Sequence, residues 1–195
     1  MCGIIALVSR PSTRPVPAAA DIVTLIDRAV ALLPDDVDGA VEVLKSVNSM
    51  LLGVPGVLAL ADNHELVAAI TSRLDRVAAT ISDLDAALEA EAADADAIER
   101  NAARLIALRD VTWSISRDRL RTARQVSELA GRDAGRAAMA GYLTIQQSFS
   151  ALDRLEVRGR DSAGIHVFVW NHGIAADDPV LVAALRDRAA DPLYQ

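Results

Sequence analysis

The sequence predicts an α+β fold that is predominantly helical. Short runs rich in β-branched residues lie near both ends, at 3–9 and 165–170, and the residues between them follow helical periodicity. Hydrophobic residues make up 52% of the 195 residues and aromatic residues only 3%, which is typical of helical packing. We therefore expect two strands that bracket a helical block of well over a hundred residues.

The first strand is predicted over 3–9, where Ile and Val dominate an apolar run. The polar stretch after it contains Pro11, Pro15 and Pro17, which favour a stiff loop. Helical spacing of apolar residues then predicts a helix over 22–33, ended by Pro34, and a second helix over 36–52. The tetrapeptide GVPG at 53–56 is expected to break the chain again.

The most regular segment has apolar residues at alternating spacings of three and four, as in a heptad seam. The seam consists of Val67, Ile70, Leu74, Val77, Ile81, Leu84 and Leu88. A second periodic segment over 98–115 predicts an antiparallel hairpin, with the acidic stretch 91–97 either a turn or a continuation. The seam closes within the chain or across a homodimer, and Trp113 is expected to pack against it.

The last third of the chain alternates breaks and regular segments. Gly131 and Gly135 predict a break, followed by a helix over 136–157. The β-branched and aromatic run IHVFVW predicts the second strand over 165–170, and NHG at 171–173 predicts a turn. A final helix is expected over 179–190.

Composition excludes several classes of function. The net charge of −7 disfavours nonspecific nucleic-acid binding, and the arginines within 117–136 interleave with acidic residues as on a solvated helix face. One cysteine and three scattered histidines predict no metal site, and no phosphate-binding loop or cofactor motif occurs. No signal peptide or membrane-spanning stretch is recognisable. We expect a cytoplasmic protein.

The single cysteine, Cys2, follows Met1 directly. If Met1 is removed, Cys2 carries a thiol and an α-amine on one residue, so that nucleophile and base are supplied together. Gly3 leaves room for a substrate beside the thiol. The alternative is a small buried hydrophobe at the start of a strand.

A second stretch, LEVRGRDSAGI at 155–165, changes the interpretation of the first. MCGIIALV at the start and this stretch together resemble the class II glutamine amidotransferases, which are N-terminal-nucleophile (Ntn) hydrolases. The closest similarity is to the glutaminase domain of the glucosamine-6-phosphate synthases. Val157 and Arg160 stand where that family has two tyrosines.

The resemblance implies an α/β/β/α Ntn frame formed by 1–17 and 142–195, with 18–141 as an inserted helical bundle or coiled-coil hairpin. It implies that Cys2 attacks the side-chain amide of glutamine and releases ammonia, which in that family converts fructose 6-phosphate to glucosamine 6-phosphate. The residues expected to shape the site are Gly3, Arg158, Gly159, Asp161 and Ser162.

Two departures limit this expectation. A block of more than a hundred residues separates the two motifs, and the family's glutamine-binding and oxyanion-hole motifs have no counterpart. Loss of one oxyanion donor alone costs about 10²–10³ in rate. We therefore expect the isolated chain to be inactive, as the N-terminal part of a larger enzyme. The alternative is a non-catalytic helical scaffold or oligomerisation protein with a vestigial Ntn frame.

Overall fold

The computed structural model describes residues 4–90, 95–131, 133–155 and 164–192, and all regular secondary structure in these ranges is helical. The elements, in chain order, are α1 (Ala19–Leu32), α2 (Val37–Met50), α3 (Gly53–Leu60), α4 (His64–Ala90), α5 (Ala95–Trp113), a π-helical segment (Ser114–Leu120), α6 (Arg121–Ala130), α7 (Arg136–Leu155) and α8 (Pro179–Ala190). The predicted α+β class with Ntn α/β/β/α elements is wrong for this part of the chain.

The two predicted strands are the source of the error. Residues 4–10 and 164–170 have no regular secondary structure, and their apolar side chains are exposed, with Ile4 at 93% and Trp170 at 75%. A strand is stable only when its backbone groups pair with a neighbouring strand. β-Branched composition cannot supply that neighbour, and no strand occurs among the described residues.

The chain divides into two compact units, Met1–Asp161 and Ser162–Gln195. In the second unit α8 has the predicted bounds, and Asp178 caps it by accepting hydrogen bonds from the backbone N–H of Val180 and Leu181 at 2.9 and 3.1 Å. No residue of α8 is buried. The assignment of 1–17 and 142–195 to one domain and 18–141 to another stays a prediction.

The first unit is built around the packing of α1, α2, α4 and α5. Helices α1 and α2 lie close to their predicted bounds, and Asp36 caps α2 by accepting from the backbone N–H of Gly39 at 2.8 Å. Their apolar positions are removed from water because they face the other helices of the bundle. Fully buried side chains include Ile22, Ile26, Leu44, Ile70 and Leu108.

The heptad seam lies on α4, which packs against α1 and α5. Ile70, Leu74, Val77 and Ile81 are buried, so the middle of the seam closes within the chain. Leu84 and Leu88, at the far end, are half-buried. The predicted homodimer stays a prediction, and the end of α4 is the part of the seam with surface left for a second copy.

The expected break at GVPG is a short helix, α3. Gly53 has a φ of 67°, which turns the chain between α2 and α3, and Pro55 lies in the first helical turn, where its missing N–H is not needed. Gly53 therefore redirects the chain and Pro55 helps to begin a helix. The sequence pattern alone predicts only a loop at these positions.

A second apolar cluster joins α3, α6 and α7. It contains Val54, Val57, Val126, Met139 and Leu143. Trp113, in contrast, is 57% exposed, so the prediction that it packs at the seam is wrong. The buried positions here are Val111 on α5 and Ile115 in the π-helical segment that follows it.

No single helix in the described ranges is both long enough and apolar enough to cross a membrane. Helices α2 and α3 meet the length and composition criteria only when they are taken together, and they are bent by 91°.

Candidate functional site

The six residues predicted to form a catalytic site all lie outside the described residues. They are Cys2, Gly3, Arg158, Gly159, Asp161 and Ser162. No distance, burial or hydrogen bond therefore tests the nucleophile or the residues expected to shape its site. The described chain on either side of these positions still shows what the two motifs are attached to.

The chain after Gly3 begins with an exposed apolar stretch, residues 4–8, which we call the N-terminal apolar segment. Ile4 is 93% and Val8 82% exposed, and Leu7 is 44% exposed. Three of these five side chains are β-branched, so the run has high strand propensity, and its apolar surface is costly to leave in water. It is the most exposed apolar sequence in the described part of the first unit.

Arg14 fixes the base of this segment to the end of α2. One of its terminal nitrogens donates to the carbonyl of Ser49 at 3.0 Å, and the other donates to the carbonyl of Leu52. The last carbonyls of a helix have no partner within the helix, so a guanidinium is well suited to satisfy them. The side chain thus caps α2 and anchors the preceding chain in one step.

Arg136, in the first turn of α7, holds the same stretch from the other side. Its guanidinium donates to the carbonyls of Ser12 and Arg14 at 3.3 and 3.4 Å. Residues 12–14 are therefore fixed between α2 and α7, and the apolar segment extends from this anchor. A cavity of about 280 Å³ lies beneath, lined among others by Leu7, Arg10, Pro55, Thr144 and Gln147.

Sequence reasoning missed both anchoring arginines. Each acts on backbone carbonyls far away in the chain, 35 and 38 residues for Arg14 and 124 and 122 for Arg136. Nothing in the local sequence distinguishes them from other arginines of the solvated faces. Only the fold brings donor and acceptor together.

The second unit also carries an exposed apolar stretch, which begins at Gly164. Phe168 is 73% and Trp170 is 75% exposed, and the rings of His166 and Phe168 stack at 6.5 Å between centroids. The chain turns where NHG predicts, with positive φ at Asn171 and Gly173. Among the described residues, no three His, Cys, Asp or Glu side chains are grouped so that they could hold a metal ion.

No protein family model, curated protein or solved structure matches this chain. The class II glutamine amidotransferases require a β-sheet core, and the described residues form helices without a strand. The assignment to that family, including the glutaminase domain of the glucosamine-6-phosphate synthases, is therefore corrected. Two short motifs of matching sequence do not establish a family when the fold between and around them differs.

Proposed function

We propose that this chain is a non-catalytic helical scaffold that associates with another protein chain through the N-terminal apolar segment. One observation carries the proposal: the uncharged apolar residues 4–8 are exposed beside a well-packed helical bundle, while the chain that follows them is fixed at 12–14. Exposed apolar surface of this kind marks sites of protein interaction.

The mode of association that fits the segment best is strand addition. An extended segment with unpaired N–H and C=O groups adds to the edge of a partner's sheet, where backbone hydrogen bonds give affinity and alternate side chains enter pockets. Anchoring by Arg14 and Arg136 reduces the conformational freedom that the segment loses on binding. The helical bundle supplies this anchor.

The test is site-specific photo-cross-linking in the cells that make the protein. Benzoylphenylalanine replaces Ile4 or Val8, and a control chain carries it at Ala103, which is exposed on α5. We expect adducts of one defined mass from positions 4 and 8 and none from position 103. If the partner is a second copy of this chain, the adduct has twice the mass of the monomer.

Two results contradict the scaffold proposal. One is the absence of an adduct from both positions 4 and 8, and the other is the same set of adducts from position 103. A further variant, I4D, keeps the fold because Ile4 contacts no buried cluster, and it should lower the adduct yield at Val8. Unchanged yield would show that the apolar character of the segment is not what binds.

A second candidate function is the hydrolysis of glutamine by Cys2, with release of ammonia. It is supported by the chemistry of a single cysteine whose thiol and α-amine share one residue once Met1 is removed, and by the nearby Gly3. This candidate depends on that residue and not on an Ntn fold. We expect the isolated chain to show no useful steady-state glutamine hydrolysis, because no glutamine-binding or oxyanion-hole motif accompanies Cys2 in the sequence.

Labelling by 6-diazo-5-oxo-norleucine separates the two candidates. Cys2 is the only thiol, so an adduct is assigned by mass without ambiguity. Modification of Cys2 that glutamine suppresses, and that C2A abolishes, would support glutamine hydrolysis. Reaction of Cys2 with iodoacetamide but not with the glutamine analogue would support the scaffold.

A further inference from the structure

A polar cleft lies where the π-helical segment and α6 face α7. It shares Gly53, Leu143 and Gln147 with the cavity beneath the N-terminal apolar segment. Its volume is about 270 Å³. Its floor is apolar, formed by Leu51, Val57 and Leu143, which are each at most 5% exposed. Its walls are polar on both sides. A concave surface with an apolar floor and a few convergent polar groups is the usual form of a small-molecule site.

One wall of the cleft is formed by the π-helical segment Ser114–Leu120, which runs without a break from α5 into α6. π-Helical turns are less stable than α-helical ones and are found frequently at functional sites. Here the segment brings Asp118 and Arg119 to the same cavity. The irregular helix therefore positions two opposite charges at one cleft.

Arg119 is held in a fixed orientation within this wall. Its Nε donates to Oδ1 of Asn48 on α2 at 2.8 Å, and the residue is half-buried. Its two terminal nitrogens make no hydrogen bond or ion pair with any described residue. A guanidinium oriented through Nε presents its remaining donors as a fixed fork, the geometry that matches a carboxylate.

The opposite wall is α7, which contributes a second guanidinium and several amide and hydroxyl groups. Arg154 lines the cleft and has no ion pair within the described ranges. Gln146 is 7% exposed, and its amide nitrogen donates to Gln125 and to Ser150, each at 2.9 Å. Gln147 lies next to it on the cleft. The buried amide fixes the polar groups of this wall relative to α6.

We propose that this cleft binds a small organic acid with one carboxylate and a neighbouring amino or hydroxyl group, that is, an α-amino or α-hydroxy acid. The carboxylate is bound by Arg119 and Arg154, and the amino or hydroxyl group donates to Asp118. The apolar floor contacts a short side chain. This site is independent of the scaffold function proposed above, and neither requires the other.

The charges of the cleft favour this class over inorganic phosphate. Two arginines and one aspartate line it, so each polar group of such an acid meets an opposite charge: the carboxylate meets the arginines, and the ammonium or hydroxyl group meets the aspartate. A phosphate dianion would place a second negative charge near Asp118, and like charges at short range repel. An acid with its own N–H or O–H donor converts that aspartate from a repulsive into an attractive contact.

The test is calorimetric titration of the whole chain with named probes: serine, alanine, lactate, acetate and inorganic phosphate. We expect serine, alanine and lactate to bind more tightly than acetate, and phosphate to bind more weakly than these three. R154Q should weaken the binding of the three acids about tenfold, which is typical of the loss of one charge-assisted hydrogen bond. D118N should bring their affinity down to that of acetate.

The matched control is R124Q, because Arg124 lies on α6, is exposed and forms only a long 3.7 Å ion pair with Glu128. It should leave all affinities unchanged. Circular dichroism of each variant shows whether the fold is retained. The proposal is overturned by no binding of any of the three acids at millimolar concentration, by tighter binding of phosphate than of all three, or by affinities that R154Q and D118N leave unaltered.

Discussion

Gly56 shows how a single residue decides the course of the chain in the first unit. It lies on α3, immediately after the bend that follows α2, and it is buried. A Cβ at this position would lie 2.6 Å from Cα of Leu51 and closer still to the Leu51 carbonyl group. Because these neighbours are backbone atoms, they cannot rotate away.

Substitution of this glycine should therefore be destabilising. We expect G56A to lower the free energy of unfolding by about 1–3 kcal/mol or more, the usual cost of overpacking. The matched control is G141A on α7, where an added Cβ meets no atom within 4 Å. It should raise stability by about 0.5–1 kcal/mol, since alanine favours the helix. Urea denaturation measures both, and equal effects would contradict the predicted contact at Gly56.

The pair of Asp27 on α1 and Arg73 on α4 joins two core helices. Arg73 donates from Nε and from a terminal nitrogen to the two carboxylate oxygens, at 2.7 and 2.9 Å. The hydrogen bond from Arg73 lowers the pKa of Asp27. The Asp27 side chain is 47% exposed, so water and salt screen the pair and its contribution is small.

The lowered pKa gives a stability effect with a definite sign. In the unfolded chain the pKa of an aspartate is about 3.9. Since the folded pKa is lower, the stabilisation is present above about pH 4 and is lost as the pH falls through the folded pKa. Wild type should therefore lose more stability than D27N between pH 5 and pH 2, measured by urea denaturation. D83N, at an exposed position of α4, is the control and should behave as wild type.

At the scale of elements, the two faces of α5 differ in burial. Leu108 is fully buried between the core helices, whereas Ile106, two residues earlier, is 53% exposed. Both are large aliphatic residues on one helix. Burial, and not hydrophobicity alone, should therefore decide how much each side chain contributes to the free energy of unfolding.

The substitutions L108A and I106A test this difference. We expect L108A to lower the free energy of unfolding by about 2–5 kcal/mol, from lost burial and a cavity. I106A should change it by no more than about 0.5 kcal/mol. Chemical denaturation measures both. If the two variants were equally destabilised, α5 would not present the faces described here.

The sequence predicts the long helices well, but it does not predict the structure of the apolar segments near the two ends. Helix α4 follows from its own heptad pattern, because the hydrogen bonds of a helix lie within the segment and the pattern marks the face to be buried. Residues 4–8 and 165–170 have equally clear β composition but no strand. Strand pairing needs a second segment, which a local pattern cannot supply.

For the whole molecule, the division into Met1–Asp161 and Ser162–Gln195 predicts how truncation acts. No described residue of the second unit is buried. Removal of residues 162–195 should therefore leave the thermal unfolding midpoint of the bundle unchanged, measured by circular dichroism. Truncation after Ala130 should lower it strongly, because this removes Met139 and Leu143 from the second apolar cluster. A large loss from the first truncation would contradict the independence of the bundle.

The candidate sites also differ in whether they are formed within one segment or by several elements. Cys2 and the motif at 158–162 were found from sequence because their chemistry is local, but they lie outside the described residues and remain a prediction. The arginine anchor of the apolar segment and the cleft at Asp118 and Arg119 had no sequence signal. Each is made from residues of three or more elements that only packing brings together.

By itself, the sequence determined the approximate bounds of α1, α2 and α8 and the buried middle of the α4 seam, since each depends on side chains within one segment. The tertiary structure decided the rest: α3 in place of a break, exposed segments in place of strands, and Trp113 at the surface. The reason is that burial and strand pairing are properties of two partners, and a local pattern contains only one of them.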